Sequence, residues 1–214
     1  EDCVHELLAV QVSGEWVKFM GTITVPEDFA KLDIWFELSD STDTFYIDEV
    51  SITEIVSIKD TYDSIFGKMG TCINIDQLED PEILKYVKKH YSSLTLENGM
   101  KPGYIMQGWM PLISKEEAKA KTGDYVIPDN YEEEKVPQFD FTTVDKALKM
   151  AKENGFKIRY HVLMWHSQSP EWFFKEDYSK DSGAAYVSAE KMYARMEMYI
   201  RSMIHHVYTL DDGA

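Results

Sequence analysis

The sequence predicts an α/β fold built on a parallel sheet, preceded by an all-β segment. Two observations carry this reading. After Ser57, runs with the two-residue alternation of strands take turns with runs at helical spacing, and strand–helix–strand repeats build parallel sheets. Before Ser57 the apolar patterns only alternate, as in a β-sandwich. A third observation makes either fold feasible: at 214 residues with 44% hydrophobic and 13% aromatic residues, the chain can bury a sizeable core.

In order, residues 1–56 read as strands. Val17, Phe19, Ile23 and Val25 share one face, with Gly21 as a bulge and Pro26-Glu27-Asp28 as a turn. Leu32, Ile34, Phe36 and Leu38 alternate with Asp33, Trp35 and Glu37; Ser39 to Asp43 is a loop, and Phe45 to Ile52 a further strand. Three or four strands make an incomplete sandwich, so residue 1 is expected to fall inside a domain. From Ser57 the spacing of Ile58, Tyr62, Ile65, Phe66 and Met69 predicts a helix ended by Gly67 and Gly70. Gly70 to Ile75 reads as a strand, with Cys72 as a buried thiol. Asp80 caps a helix with Pro81 at its first position, and Tyr91 to Leu96 is the second strand. An insert over about 103–137 interrupts the rhythm; Ser114-Lys-Glu-Glu117 is a capping box for a short helix within it, and Glu132-Glu-Glu134 reads as a solvated loop. Thr142-Thr-Val-Asp145 is a second capping box, for a helix closed by Asn154-Gly155. The third strand runs over 157–164, ending near Trp165-His166 because Pro170 removes a ladder donor. Ser188 starts a long amphipathic helix through Met192, Met196, Tyr199, Ile200, Met203 and Val207.

The net charge of −16, from 38 acidic against 22 basic residues, disfavours nucleic acid and anionic membrane as partners. No run approaches the roughly 18 apolar residues of a membrane span. Cys3 and Cys72 are too few for a disulfide framework. No basic-then-apolar leader, repeat or low-complexity tract is present in the sequence.

Ligands of parallel α/β folds bind at the carboxyl ends of the strands. Two such ends carry polar clusters: Glu97, Asn98 and Lys101 after the second strand, and His161 through Gln168, with Trp165, at the third. Hydrogen-bonding groups beside flat aromatic faces suit a sugar ring, which offers hydroxyls on its rim and C–H groups on its faces. The plainer reading is a buried strand followed by an aromatic turn. Convergence of both clusters on one face favours a site.

Leu94-Thr-Leu-Glu-Asn-Gly-Met-Lys-Pro102 resembles the motif T-x-E-N-E-M-K, and His161-Val-Leu-Met-Trp-His-Ser-Gln-Ser-Pro-Glu-Trp172 resembles H-T-L-V-W-H-S-Q-x-P-x-W. Both belong to the family 10 glycoside hydrolases, retaining endo-β-1,4-xylanases on a (β/α)8 TIM barrel. Order and spacing agree over about 58–208, including Phe139-Asp-Phe141, Asp145 and the Tyr199-Ile200 helix. The resemblance implies that residues 57–214 form the first three βα units of such a barrel. It implies that Glu97, Asn98 and Lys101 hydrogen-bond xylose on the glycone side. His161 and Trp165 would line the sugar next to the scissile bond, His166 would support that wall, and Gln168 would reach the sugar beyond. Gly99 departs from the motif, where the family has a second Glu. Residues 16–25, 32–37 and 45–52 resemble the carboxyl-terminal half of the jelly-roll carbohydrate-binding modules that accompany xylanases. There Trp35 and Glu37 would pair a stacking platform with a hydroxyl acceptor, unless Trp35 packs on a neighbouring domain, and Asp48 would help to hold a structural calcium.

Retaining hydrolysis uses two carboxylates about 5–5.5 Å apart. The resemblance implies an acid/base Glu after the fourth strand and a nucleophile near the seventh, and no residue here matches either. The chain alone is therefore expected to be inactive. It is expected to be one piece of a xylan-degrading enzyme, completed by a segment carrying strands four to eight. Such an enzyme is expected to be secreted or at the cell surface and to need no cofactor for catalysis. Three other readings compete. A non-catalytic carbohydrate-binding protein would use the same cluster and Trp35. A zinc hydrolase is disfavoured because His161 and His166 fall on opposite strand faces and His205 and His206 diverge on a helix. A nucleotide-binding protein would need a glycine-rich phosphate loop, and none follows any strand.

Overall fold

The computed structural model describes residues 14–23, 25, 33–37, 44–107 and 111–210. It divides into two compact units, Glu1–Ile52 and Thr53–Ala214, a few residues before the boundary drawn from the sequence.

In the first unit, no strand ladder forms among the described residues, and every one of them is exposed. The rings of Phe19 and Phe36, assigned to two neighbouring strands, meet edge to face with centroids 6.1 Å apart. Alternation marks which side of a segment is apolar, but a sheet also needs a backbone ladder, and none is formed among the described residues. The sandwich expected here is thus not formed by the described residues. Leu32, Leu38, Cys3 and the turn at 26–28 lie outside them.

The second unit opens with α1 (Ile58–Phe66), capped by the Ser57 side chain and stopped at Gly67, whose φ of 77° is left-handed. Then come β1 (Gly70–Ile73), α2 (Ile75–Leu78), α3 (Pro81–His90) and β2 (Ser93–Leu96). Asp80 caps α3 as its sequence predicts, accepting from the amides of Glu82 and Ile83 at 2.9 and 3.2 Å. The insert holds α4 (Pro102–Ile105), the antiparallel pair β3 (Leu112–Ser114) and β4 (Lys135–Pro137), and α5 (Lys115–Ala120). Ser114 caps α5 by accepting from Glu117 N at 3.1 Å. α6 (Thr142–Asn154) leads to β5 (Lys157–Ile158), and α7 (Ala189–Thr209) ends the described fold. The parallel sheet runs β1–β2–β5, in register Gly70↔Ser93 and Leu94↔Ile158. Leu78, Val87, Leu94, Ala151 and Phe156 form one buried cluster; Leu96, Met106, Val144, Phe173, Met198 and Tyr199 belong to a larger one.

Several expectations need correction. The third strand is two residues long rather than eight: its ladder with β2 stops where Arg159 N donates to Leu94 O at 2.9 Å, and among the described residues no strand pairs with its other edge. β1 likewise ends at Ile73, because Asn74 and Ile75 turn into α2. Cys72 is exposed rather than buried: β1 is an edge strand, and alternation turns Ile73 inward instead. Thr142 does not cap α6. The Asp140 carboxylate accepts Thr142 N at 3.0 Å, and Asp145 is taken by His206 at 2.7 Å. The buried face of α7 centres on Arg195, Met198, Tyr199, Ser202, Met203 and His206, so three polar residues sit where an apolar stripe was expected.

Those polar residues hold the insert. Glu133, expected in a solvated loop, receives both Nε (2.6 Å) and Nη2 of Arg195, whose Nη1 also donates to Phe173 O and Lys175 O at 2.6 and 2.8 Å. The guanidinium lies 3.7 Å from the Tyr178 ring centroid. Burial opposes the charge, but the hydrogen bonds and charge of Glu133 outweigh it and raise the Arg195 pKa. Lower on α7, Ser202 Oγ accepts Val126 N at 2.9 Å and His206 meets Asp124 at 2.9 Å, its ring stacked on Phe141 at 3.6 Å. Trp172 Nε1 is buried with no hydrogen-bond partner among the described residues, and the buried Tyr160 and Tyr199 hydroxyls face each other.

Candidate functional site

The ladder of β1 and β2 continues one step past Leu96, where Glu97 N donates to Ile73 O at 3.2 Å. That step delivers Glu97 and Asn98 to the carboxyl end of the sheet. A tight turn then closes through Lys101 N to Asn98 O at 2.9 Å, and Pro102 starts α4 with a preset φ. Lys101 is left at the mouth of that helix with its side chain folded back, only 7% exposed.

From β5 the chain returns to the same end without ladder bonds, and the His161–Val162 peptide is cis. Ser169 Oγ donates to Trp165 O at 2.6 Å, closing a turn in which Gln168 adopts a left-handed φ of 53°. Gln168 Oε1 accepts Lys101 Nζ at 2.6 Å, while its amide nitrogen donates to Asn98 Oδ1 at 3.1 Å. Lys101 Nζ also donates to Asn98 Oδ1 at 3.0 Å and stands 5.2 Å from the Trp165 ring centroid. The two strand-end loops thus interlock through two side-chain hydrogen bonds and an ammonium–indole contact, with a third bond, Lys101 to Asn98, inside one loop. Among the described residues no carboxylate lies within ion-pair reach of Lys101. Its charge is held by neutral amide oxygens and an aromatic face.

Four of the residues expected from sequence therefore meet: Asn98, Lys101, Trp165 and Gln168. Glu97 joins at the rim, exposed, with Oε2 accepting Asn74 Nδ2 at 2.8 Å. His166 is exposed and sets its ring on edge to Trp165 at 5.4 Å. His161 is half-buried and makes no hydrogen bond among the described residues. Trp172 is core, packed on Phe173 and Tyr178. Glu171 is a partner of Lys175 and Tyr186, whose hydrogen bonds hold its carboxyl below the usual range, and Glu176 pairs with Lys191.

Asn74 was not anticipated. It follows β1, so the rule that flagged the ends of the other two strands would have found it. It also borders a hollow of about 270 Å³ beside the cluster, lined further by Asp76, Leu96, Asn98, Tyr104 and Thr143. At Gly99 a Cβ would stand 2.6 Å from Thr143 Cγ2 and 3.2 Å from Leu96 Cδ1, so a side chain there needs those neighbours to shift.

In the first unit, Trp35 and Glu37 are both exposed. Asp48 accepts the Glu49 amide at 2.8 Å. Among the described residues no three His, Cys, Asp or Glu converge at metal-holding distance.

Residues 57–211 match the sequence model of glycosyl hydrolase family 10. The chain is 42% identical to endo-1,4-beta-xylanase A of Butyrivibrio fibrisolvens over 154 residues, which is 72% of this chain and 36% of that protein. It is 31% identical to endo-1,4-beta-xylanase A of Thermotoga maritima over 211 residues, covering 91% of this chain and 17% of the relative. The chain thus spans little more than a third of one curated relative and about a sixth of the other. Among solved structures, the endo-1,4-beta-xylanase of Caldicellulosiruptor owensensis aligns with a TM-score of 0.51 at 26% identity, over 73% of this chain and 37% of that one. The xylanase 10B modules of Clostridium thermocellum, complexed with xylohexaose, align with a TM-score of 0.54 at 23% identity, over 76% and 27%.

Proposed function

The chain belongs to glycosyl hydrolase family 10, and from that membership we propose that it supplies the glycone-side sugar-binding wall of a retaining endo-β-1,4-xylanase. The observation that carries this reading is the interlock of Asn98, Lys101, Gln168 and Trp165 across two strand ends. An ammonium with no carboxylate partner among the described residues, an exposed indole, and Glu97 at the rim offer donor, stacking face and acceptor to a neutral, hydroxyl-rich ligand. His161 and His166 extend the wall. Xylan or xylo-oligosaccharide is the ligand.

The acid/base and nucleophile belong to the remainder of the same enzyme, a segment carrying strands four to eight. Two features support such a partner. Tyr62, Ile65 and Phe66 of α1 are exposed, and the buried Trp172 Nε1 has no partner among the described residues, whereas buried polar groups are ordinarily bonded. The first unit would act as a carbohydrate-binding module through Trp35 and Glu37, with Asp48 toward a calcium. A polymer substrate places the complete enzyme outside the cell, secreted or at its surface.

The test compares two measurements. Calorimetric titration of this chain with xylohexaose is expected to show binding that Lys101→Met weakens, and the complete gene product is expected to release reducing sugar from xylan. Binding without release by the complete product would favour a non-catalytic carbohydrate-binding protein; neither would sink the proposal.

A further inference from the structure

We propose that Gly103 is a positioning residue for this wall: its missing side chain lets the Gln168 carbonyl close onto the start of α4, and that closure sets the Gln168 amide against Lys101 and Asn98. The proposal rests on the sugar-binding reading of the wall and adds a residue to it.

Gly103 is the second residue of α4, a place where glycine is a poor choice on helix propensity. Its backbone is not left-handed, so conformational freedom is not the reason for it. Space is. Gly103 N, one of the helix's first amides and without an intrahelical acceptor, donates to Gln168 O at 2.7 Å. A Cβ at residue 103 would stand 2.7 Å from that same oxygen and 3.4 Å from its carbon. Gly99 is different: the atom nearest its missing Cβ is the Thr143 methyl, a side-chain group that can turn aside. At Gly103 the obstacle is backbone, and it cannot move without moving Gln168.

Gln168 is where such a movement would tell. Its φ of 53° is uncommon for a residue with a side chain and persists only where surroundings hold it. The Gly103 amide grips its carbonyl, and the Ser169–Trp165 bond closes the turn around it. From that backbone the side chain spans Lys101 at 2.6 Å and Asn98 at 3.1 Å. A small residue in one loop thereby sets the geometry of a polar side chain in the other.

The experiment is Gly103→Ala in the chain, read in two ways. In ¹⁵N-labelled protein, the Gln168 side-chain amide resonances, assigned with Gln168→Ala, are expected to shift toward solvent-exposed values with no sugar present. Xylohexaose binding is expected to weaken about tenfold, yet by about twofold or less when Gly103→Ala is made on a Gln168→Ala background. Unmoved Gln168 resonances, or an equal loss on both backgrounds, would overturn the proposal. If the wild-type chain binds no xylohexaose while the amide still moves, the positioning role stands and the sugar reading fails. Should Gly103→Ala not fold, adding Gln168→Gly must restore folding by freeing the backbone; failure to restore it would also overturn the assignment.

Discussion

Two buried cations in one unit are treated in opposite ways. Arg195, on α7, is fully buried and compensated by a carboxylate gripping two of its nitrogens, two carbonyls and an aromatic face. Lys101, at the strand ends, is 7% exposed and has two neutral amide oxygens and an indole. Removing a charge from water is costly, and a folded chain normally offsets that with an opposite charge. The fold does so where the charge only holds pieces together. At the strand ends, among the described residues, no carboxylate offsets the Lys101 charge, as the proposed contact with a neutral ligand would require.

The contrast can be broken from either side. Arg195→Met strands the Glu133 carboxylate and is expected to cost about 3–5 kcal/mol of folding stability, measured as a lowered urea midpoint. Alkali should attack the same region next. Burial pushes Tyr125, whose hydroxyl bridges Pro137 O and Phe139 N, up to about 12, and raises Tyr131 and Tyr178 further still. A folded-state pKa above the unfolded one gives stability that is whole below pH 10 and lost as pH climbs toward 12. For Tyr125 that loss is up to about 2–3 kcal/mol, and tyrosinate absorbance should rise together with unfolding. Lys101→Met is expected to weaken xylohexaose binding by about 2 kcal/mol while leaving the urea midpoint unchanged or slightly raised. A midpoint drop as large as that of Arg195→Met would erase the distinction. Ser114→Ala, which removes the α5 cap and touches neither cation, should cost about 1 kcal/mol and leave sugar binding untouched.

What was legible in the sequence was local. Asp80, Ser114, Gly155 and Ser188 announce helix boundaries because their chemistry acts within a few residues, and each does so here. The strand-end clusters were legible because alternation locates strand ends and ligands gather there. What escaped depends on partners distant in the chain. Glu133 reads as one of three loop acids until Arg195, 62 residues on, selects it. Thr142-Thr-Val-Asp145 has the letters of a capping box, but His206 claims Asp145. Cys72 looked buried by pattern, and edge position decided otherwise. Gly103 carries no signal at all in the sequence, since its neighbour is a carbonyl 65 residues away.

The way the insert is tied into the sheet has a consequence for a severed chain. β3 pairs with β4, β2 pairs with β5, and Lys101 holds Gln168 at 2.6 Å. All three links join residues on opposite sides of the peptide bond between exposed Thr122 and Gly123. A protease cutting there would yield two fragments on a denaturing gel, yet a single undivided particle on a sizing column.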